Sequence, residues 1–281
     1  MEEARKRVEY CLNNNETELN ISELSLVKLP DLPETLTKLY CYYNQIQELP
    51  VSLPKSLTWL SFNSNFVQKL PDNLSNVLEN LYFSGNQITE LPDNLPNSLK
   101  ILECSSNRIS RISKLPRSLE LFYCCGNYIE ALPNKLPESL ELFCCSHNLI
   151  KKLPDKLPES LKVLNCSNNK IKKLPDNLPD SLTQLDCGDN LIEKISCVPK
   201  SLSVLMCNGN QITELPLRLR IISCYVVCDD SEKKYFTSAL NVTKRTINKY
   251  RWRTRYMKWI ICMKIRQFID MDSATIATRY I

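Results

Sequence analysis

Histidine, glycine and long apolar runs are what this chain has least of. One His stands among 281 residues, so any His-dependent metal centre or nucleophile would rest on a single imidazole. Only four Gly are present, and no phosphate loop, CxxC pair, HExxH or nucleophile elbow can be found. No run of about 18 apolar residues exists, so no segment is expected to span a membrane. The opening MEEARKRVEY is charged and lacks an apolar h-region, so no secretory signal is expected. Proline is missing before Pro30 and after Pro216, and glycine before Gly85 and after Gly209. The chain therefore changes character near residue 228.

What fills the space between is repetition. Residues 161–182, LKVLNCSNNKIKKLPDNLPDSL, follow a skeleton L-x-x-L-x-C-x-x-N-x-I-x-x-L-P-x-x-L-P-x-S that recurs on both sides. Its Asn returns at Asn44, Asn65, Asn86, Asn107, Asn127, Asn148, Asn169, Asn190 and Asn210. The intervals are 21 residues, except for two of 20 that lead to Asn127 and Asn210. A fixed period in the twenties means a solenoid, in which each repeat buries its apolar side on its neighbours.

Each repeat can be read physically. Leu164 and Cys166 alternate with Val163, Asn165 and Ser167, a period of two that predicts a short strand. Asn169 follows at the turn, where a stacked Asn can bond the backbone amides that the turn exposes. Ile171 and Leu174 return to the core. The segment LPDNLPDS carries two Pro and cannot be a long helix, so extended, polyproline-II-like backbone is expected. Both 20-residue intervals shorten this segment, at 111–118 and 194–201, and leave the strands untouched.

Fourteen Cys could suggest an oxidised protein, but their placement argues against it. Cys41, Cys104, Cys124, Cys145, Cys166, Cys187, Cys207 and Cys224 are assigned to one slot of the repeat, which Phe62 and Phe83 also occupy. A slot shared by Cys and Phe is a core slot, where Cys behaves as a small hydrophobe. Reduced thiols and a cytoplasmic protein (host cytoplasm, for a viral or effector protein) are the expectation.

Three segments follow. Residues 1–18 are expected to form an N-terminal capping helix from Glu2 to Leu12, ahead of a degenerate first repeat with Leu24 in the Asn position. Residues 19–228 hold the repeats, ending in a strand with Val227 at the Asn position. Residues 229–281 contain twelve Lys/Arg against five Asp/Glu. That +7 leaves −2 for the preceding residues of a chain whose net charge is +5. The segment reads as a basic helical cap or tail of two helices that break near Asn248, with one apolar stripe through Phe236, Leu240, Ile247 and Tyr250.

The doubled Leu-Pro in so short a repeat resembles the leucine-rich repeats of bacterial effectors of the YopM and IpaH type. Asn- and Cys-rich versions are similar to repeat proteins of amoeba-infecting giant viruses. The resemblance covers residues 19–228. It implies a leucine-rich repeat solenoid: a right-handed curved horseshoe with about ten short parallel strands on the concave face, an extended convex side and helical caps at both ends. It also implies protein partners bound on the concave face. One branch of these effectors carries a ubiquitin-ligase domain after the repeats, and the 53 residues that follow residue 228 are too few for one.

The residues that should face outward from the strands supply the candidate partner site: Tyr40, Tyr42, Tyr43, Trp59, Tyr82, Glu103 and Tyr123. Exposed aromatic surface is typical of partner sites; packing beneath a preceding loop is the plainer alternative. The Ser, Gly or Asn before each ladder Asn reads as scaffold. His147, near Cys144 and Cys125, could in principle form a nucleophile or metal pair, but no acid completes it. Asp186 and Asp189 read as a solvated acidic spot. Neither metal, cofactor, small-molecule substrate nor enzymatic activity is expected. In the tail, Arg251, Trp252, Arg253, Arg255, Lys258 and Trp259 interleave charge with aromatic rings. Such a pattern suits a cap, nucleic acid or an anionic membrane, or a partner's target helix.

Overall fold

The computed structural model describes residues 1–213 and the backbone of residues 225–227. Helix α1 (Glu2–Asn13) precedes ten three-residue strands: β1 (Glu18–Asn20), β2 (Lys38–Tyr40), β3 (Trp59–Ser61), β4 (Asn80–Tyr82), β5 (Ile101–Glu103), β6 (Leu121–Tyr123), β7 (Leu142–Cys144), β8 (Val163–Asn165), β9 (Gln184–Asp186) and β10 (Val204–Met206). An eleventh, β11, spans Tyr225–Val227. The chain divides into two compact units, the first Met1–Leu140 and the second beginning at Glu141.

In the first unit β1 to β6 pair in parallel and in chain order. Register advances by one repeat at each step, with Trp59 opposite Asn80, Asn80 opposite Ile101 and Ile101 opposite Leu121. The central strand residues Leu39, Leu60, Leu81, Leu102 and Phe122 are wholly buried. Helix α1 buries Ala4 and Cys11. Its Cys11 thiol donates to the Glu16 carbonyl at 3.1 Å, and Arg7 Nη1 donates to the Asn20 carbonyl at 3.0 Å. The helix extends one residue past the expected Leu12, to Asn13.

In the second unit β7 to β11 pair the same way. The end of the array differs from the expectation. Val227 pairs with Met206, so it lies within the strand and does not take the Asn position, and Cys224 precedes the strand. A 21-residue step from Cys207 leads to Cys228. Counting thiols assigned the frame to the wrong Cys, whereas strand register follows the period.

The Asn ladder joins consecutive repeats. Asn107 Oδ1 accepts from Ile88 N at 3.0 Å, and its Nδ2 donates to the Phe83 carbonyl at 2.9 Å and the Cys104 carbonyl at 3.1 Å. Asn65 and Asn86 repeat the pattern in the first unit, and Asn169 and Asn190 repeat it in the second. Each side chain thus satisfies an amide and a carbonyl of the preceding repeat, groups that would be costly to bury unpaired.

A serine ladder runs beside it, and the sequence reading assigned that Ser no role. The P-x-S-L segments close tight turns, as in Leu57 N to the Pro54 carbonyl and Leu99 N to the Pro96 carbonyl, both 3.2 Å. The Ser hydroxyl then donates to a Leu carbonyl one repeat back: Ser56 to Leu36 at 2.6 Å, Ser98 to Leu78 at 2.6 Å and Ser181 to Leu161 at 2.7 Å. Among the described residues the Leu-Pro segments contain no helix, in line with their proline content.

Candidate binding surface

The residues flanking each buried strand centre form two outward rows. In the first unit one row is Lys38, Trp59, Asn80, Ile101 and Leu121, all half-buried. The other is Tyr40, Ser61, Tyr82, Glu103 and Tyr123. Parallel strands lie roughly 4.8 Å apart, less than the width of an aromatic ring, so large side chains in such rows must lean on one another. Trp59 and Tyr82 stack with ring centroids 4.8 Å apart, and Tyr40 and Trp59 tilt together at 6.0 Å.

The rows are consequently more sealed than an open aromatic surface. Tyr82, Tyr123 and Glu103 are 1%, 3% and 5% exposed, and Tyr42 is also buried. The accessible members are Tyr40 and Trp59, which are half-buried, and Tyr43, whose ring meets Tyr42 edge-on at 5.7 Å. Trp59 Nε1 is buried without a hydrogen-bond acceptor. Phe66 and Tyr128 are well exposed. Both follow a ladder Asn directly, a column that also holds Leu149 and Leu191 among polar residues, so their large rings were the signal for them.

Glu103 is the unusual member. Its carboxyl accepts from the Ser84 hydroxyl and from Ser105 N, the latter at 3.1 Å. Register places Tyr82 on one side of it and Tyr123 on the other. Burial pushes this carboxyl above the ordinary glutamate range, partly offset by the hydrogen bonds from Ser84 and Ser105.

The second unit presents half-buried Leu142, Val163 and Gln184, with Val204 buried, and beside them buried Cys144 and Met206 with half-buried Asn165 and Asp186. Asp186 Oδ1 accepts from Gly188 N at 3.0 Å. His147 occupies the position before a ladder Asn, where the backbone is left-handed in repeat after repeat: φ is 53° at His147, 52° at Tyr43, 54° at Ser64 and 62° at Gly126. The position is part of the turn, whatever side chain it carries. Among the described residues no group of three or more His, Cys, Asp or Glu could hold a metal ion.

The core cysteines are present as thiols and no disulfide joins the described residues. Burial alone pushes the Cys41 thiol up to about 12. Burial likewise raises Cys104, Cys166 and Cys187, with smaller contributions from Glu103 and Cys125 at Cys104, from Cys145 and Asp186 at Cys166, and from Cys166 and Asp186 at Cys187. Cys197 is exposed. Since the thiolate is the reactive form, iodoacetamide at pH 8 should label Cys197 in the native protein and leave Cys41, Cys104, Cys166 and Cys187 intact until denaturant is added. Native labelling of the column, read by peptide mass spectrometry, would contradict this packing.

The tail residues Arg251, Trp252, Arg253, Arg255, Lys258 and Trp259, and the helical cap expected at 229–281, lie outside the described residues.

Comparison with known proteins agrees with this geometry. Residues 159–200 match the family described as Leucine Rich repeats (2 copies), and residues 77–97 match Leucine Rich Repeat. The fold is a leucine-rich repeat solenoid. YopM from Yersinia enterocolitica WA-314 is similar at 34% identity and a TM-score of 0.75, over 81% of this chain and 49% of that one. The functional domain of InlJ from Listeria monocytogenes, described as including a cysteine ladder, is similar in fold at 24% identity and a TM-score of 0.66, over 76% of this chain and 53% of that one. The APL1 leucine-rich repeat domain matches with a TM-score of 0.63 at 23% identity, over 76% of this chain and 63% of that one. The chain thus spans about half the length of the YopM and InlJ structures. No curated protein matches it in sequence.

Proposed function

We propose that this chain is a non-enzymatic scaffold that takes a protein partner on the outward strand face of its first unit. Leucine-rich repeat proteins generally act in protein–protein interaction. The observation that carries the reading is the half-buried Tyr40 and Trp59 pair, braced by Tyr82 and continued by half-buried Ile101 and Leu121. Rigid aromatic side chains with one apolar face accessible are the usual anchors of protein interfaces. The similarity to YopM favours an effector-like role, and the thiol column favours a reducing compartment such as cytoplasm.

The test uses the accessible rings only. Tyr40→Ala combined with Trp59→Ala should abolish recovery of a partner that the unaltered chain captures, while circular dichroism still shows the folded signal and a cooperative melt, lowered by loss of the Trp59–Tyr82 stack. Retained capture by a folded double variant would remove the reading.

A second reading rests on the tail, whose +7 charge is interleaved with aromatics in residues 244–266. Nucleic acid or an anionic membrane would be its ligand, and affinity would then fall steeply with salt. A binding signal indifferent to ionic strength would eliminate it.

A further inference from the structure

The Glu103 carboxyl is the buried titratable group that the binding reading does not use. Register places its residue in the middle of the outward row, between Tyr82 and Tyr123, and it is almost fully enclosed. Two donors meet it, the Ser84 hydroxyl and Ser105 N. The titratable groups around it are Tyr82 on β4, Tyr123 on β6, Cys104 directly after β5 and Cys125 after β6. The charged residues just before these strands, Glu79, Lys100 and Glu120, stand three places earlier in each repeat, and Lys100 is paired with Glu79 at 3.1 Å. No ion pair to Glu103 is found among the described residues. A neutral carboxylic acid is suited to this enclosure. A carboxylate there would lack a cation, and a buried charge without one is strongly disfavoured.

We propose that Glu103 is a proton-operated latch on the outward row: the protonated carboxyl seals the row between Tyr82 and Tyr123, and loss of its proton to bulk water opens it. On ionisation the carboxylate turns towards solvent, because bulk water solvates a full charge better than the two donors it leaves, the Ser84 hydroxyl and Ser105 N. The row then loses the side chain that register places between Tyr82 and Tyr123. As regulation of the face proposed above, the latch depends on that reading for its purpose, though not for its chemistry. Rising pH would expose further aromatic surface next to Trp59.

Burial raises the folded-state value of this carboxyl, and the sign of the linkage follows. Its contribution to stability is complete below the unfolded value of about 4.3. That contribution falls as pH rises from there through the folded value.

The test requires no partner, so its failure is distinct from failure of the binding reading. In the full chain, the side-chain carboxyl carbon of Glu103 and the ring signals of Tyr82 and Tyr123 are followed by NMR between about pH 4 and pH 9. The expected result is one shared titration curve, displaced upward from ordinary glutamate. A soluble paramagnetic agent should bleach both rings above the transition and spare them below it. Glu103→Gln should hold the rings in the protected state throughout. A Glu103 curve at the ordinary glutamate position overturns the proposal, as do tyrosine signals that ignore it. A ring transition that persists in Glu103→Gln overturns it equally. If that variant does not fold, the wild-type carboxyl curve and its agreement with the ring signals still decide.

Discussion

Asn107→Ala is expected to destabilise the chain by about 2–4 kcal/mol, a large share of the stability of an ordinary domain. The substitution removes little volume, and the cost is in what it leaves behind. Ile88 N loses its acceptor, and the Phe83 and Cys104 carbonyls each lose one of two ladder donors, keeping those of Asn86 and Asn127. Asn107 is buried, so water cannot readily replace it, and each stranded buried group costs about 1–3 kcal/mol. Asn107→Asp should be no milder. It keeps an acceptor for Ile88, deletes both donors and adds a buried charge. Urea unfolding would measure both. A loss below about 1 kcal/mol would mean that the ladder is relieved by water or by local rearrangement.

Phe83→Ala is expected to cost about 3–5 kcal/mol, whereas Cys104→Ala in the neighbouring repeat costs about 1 kcal/mol. The two residues fill equivalent, wholly buried places, so the comparison isolates size. Phe83 stacks on Phe62 with centroids 5.6 Å apart and planes nearly parallel. Removing one ring therefore leaves a void on a surface shaped by the other. Phe62→Ala and Phe83→Ala together should fall short of additivity by about 0.5–1.5 kcal/mol, the coupling of an aromatic pair. Equal losses at Phe83 and Cys104 would show that the column repacks around a missing ring, contrary to the rigidity assumed here.

The repeat, its strands and the ladder were legible because each rests on residue identity at a fixed interval. Asn44 to Asn210 mark the period, and the alternation of Leu164 and Cys166 with outward residues marks the strand. The strand also decides which side of the sheet a residue takes, so Tyr82 and Tyr123 fall in one row beside the buried strand centres. Their burial was not legible, because it arises from rings in adjacent repeats leaning together at a spacing narrower than a ring. Glu103 drew notice only as one of a row, since nothing local to it reveals Ser84 one repeat back. The last strand was misplaced because Cys224 imitates the column at the wrong interval. Ser56, Ser98 and Ser181 recur almost as regularly as the Asn, with Thr35 and Val77 as exceptions, but a hydroxyl's target across repeats is visible only once the turns are built.

The ladder bonds have a genetic consequence. Asn65 and Asn86 offer the same groups to the repeat before them and receive the same groups from the repeat after. Excising residues 66–86 in frame would join Asn65 to Gln87, leaving Ile46 N on Asn65 and Ile88 N on Asn107. Unequal crossing-over between repeat-coding segments would then shorten or lengthen the protein by whole coils without requiring any new contact to be invented. The number of coils can drift between lineages while the shape of each coil is conserved, so partner choice can change by addition and loss of coils as well as by point substitution.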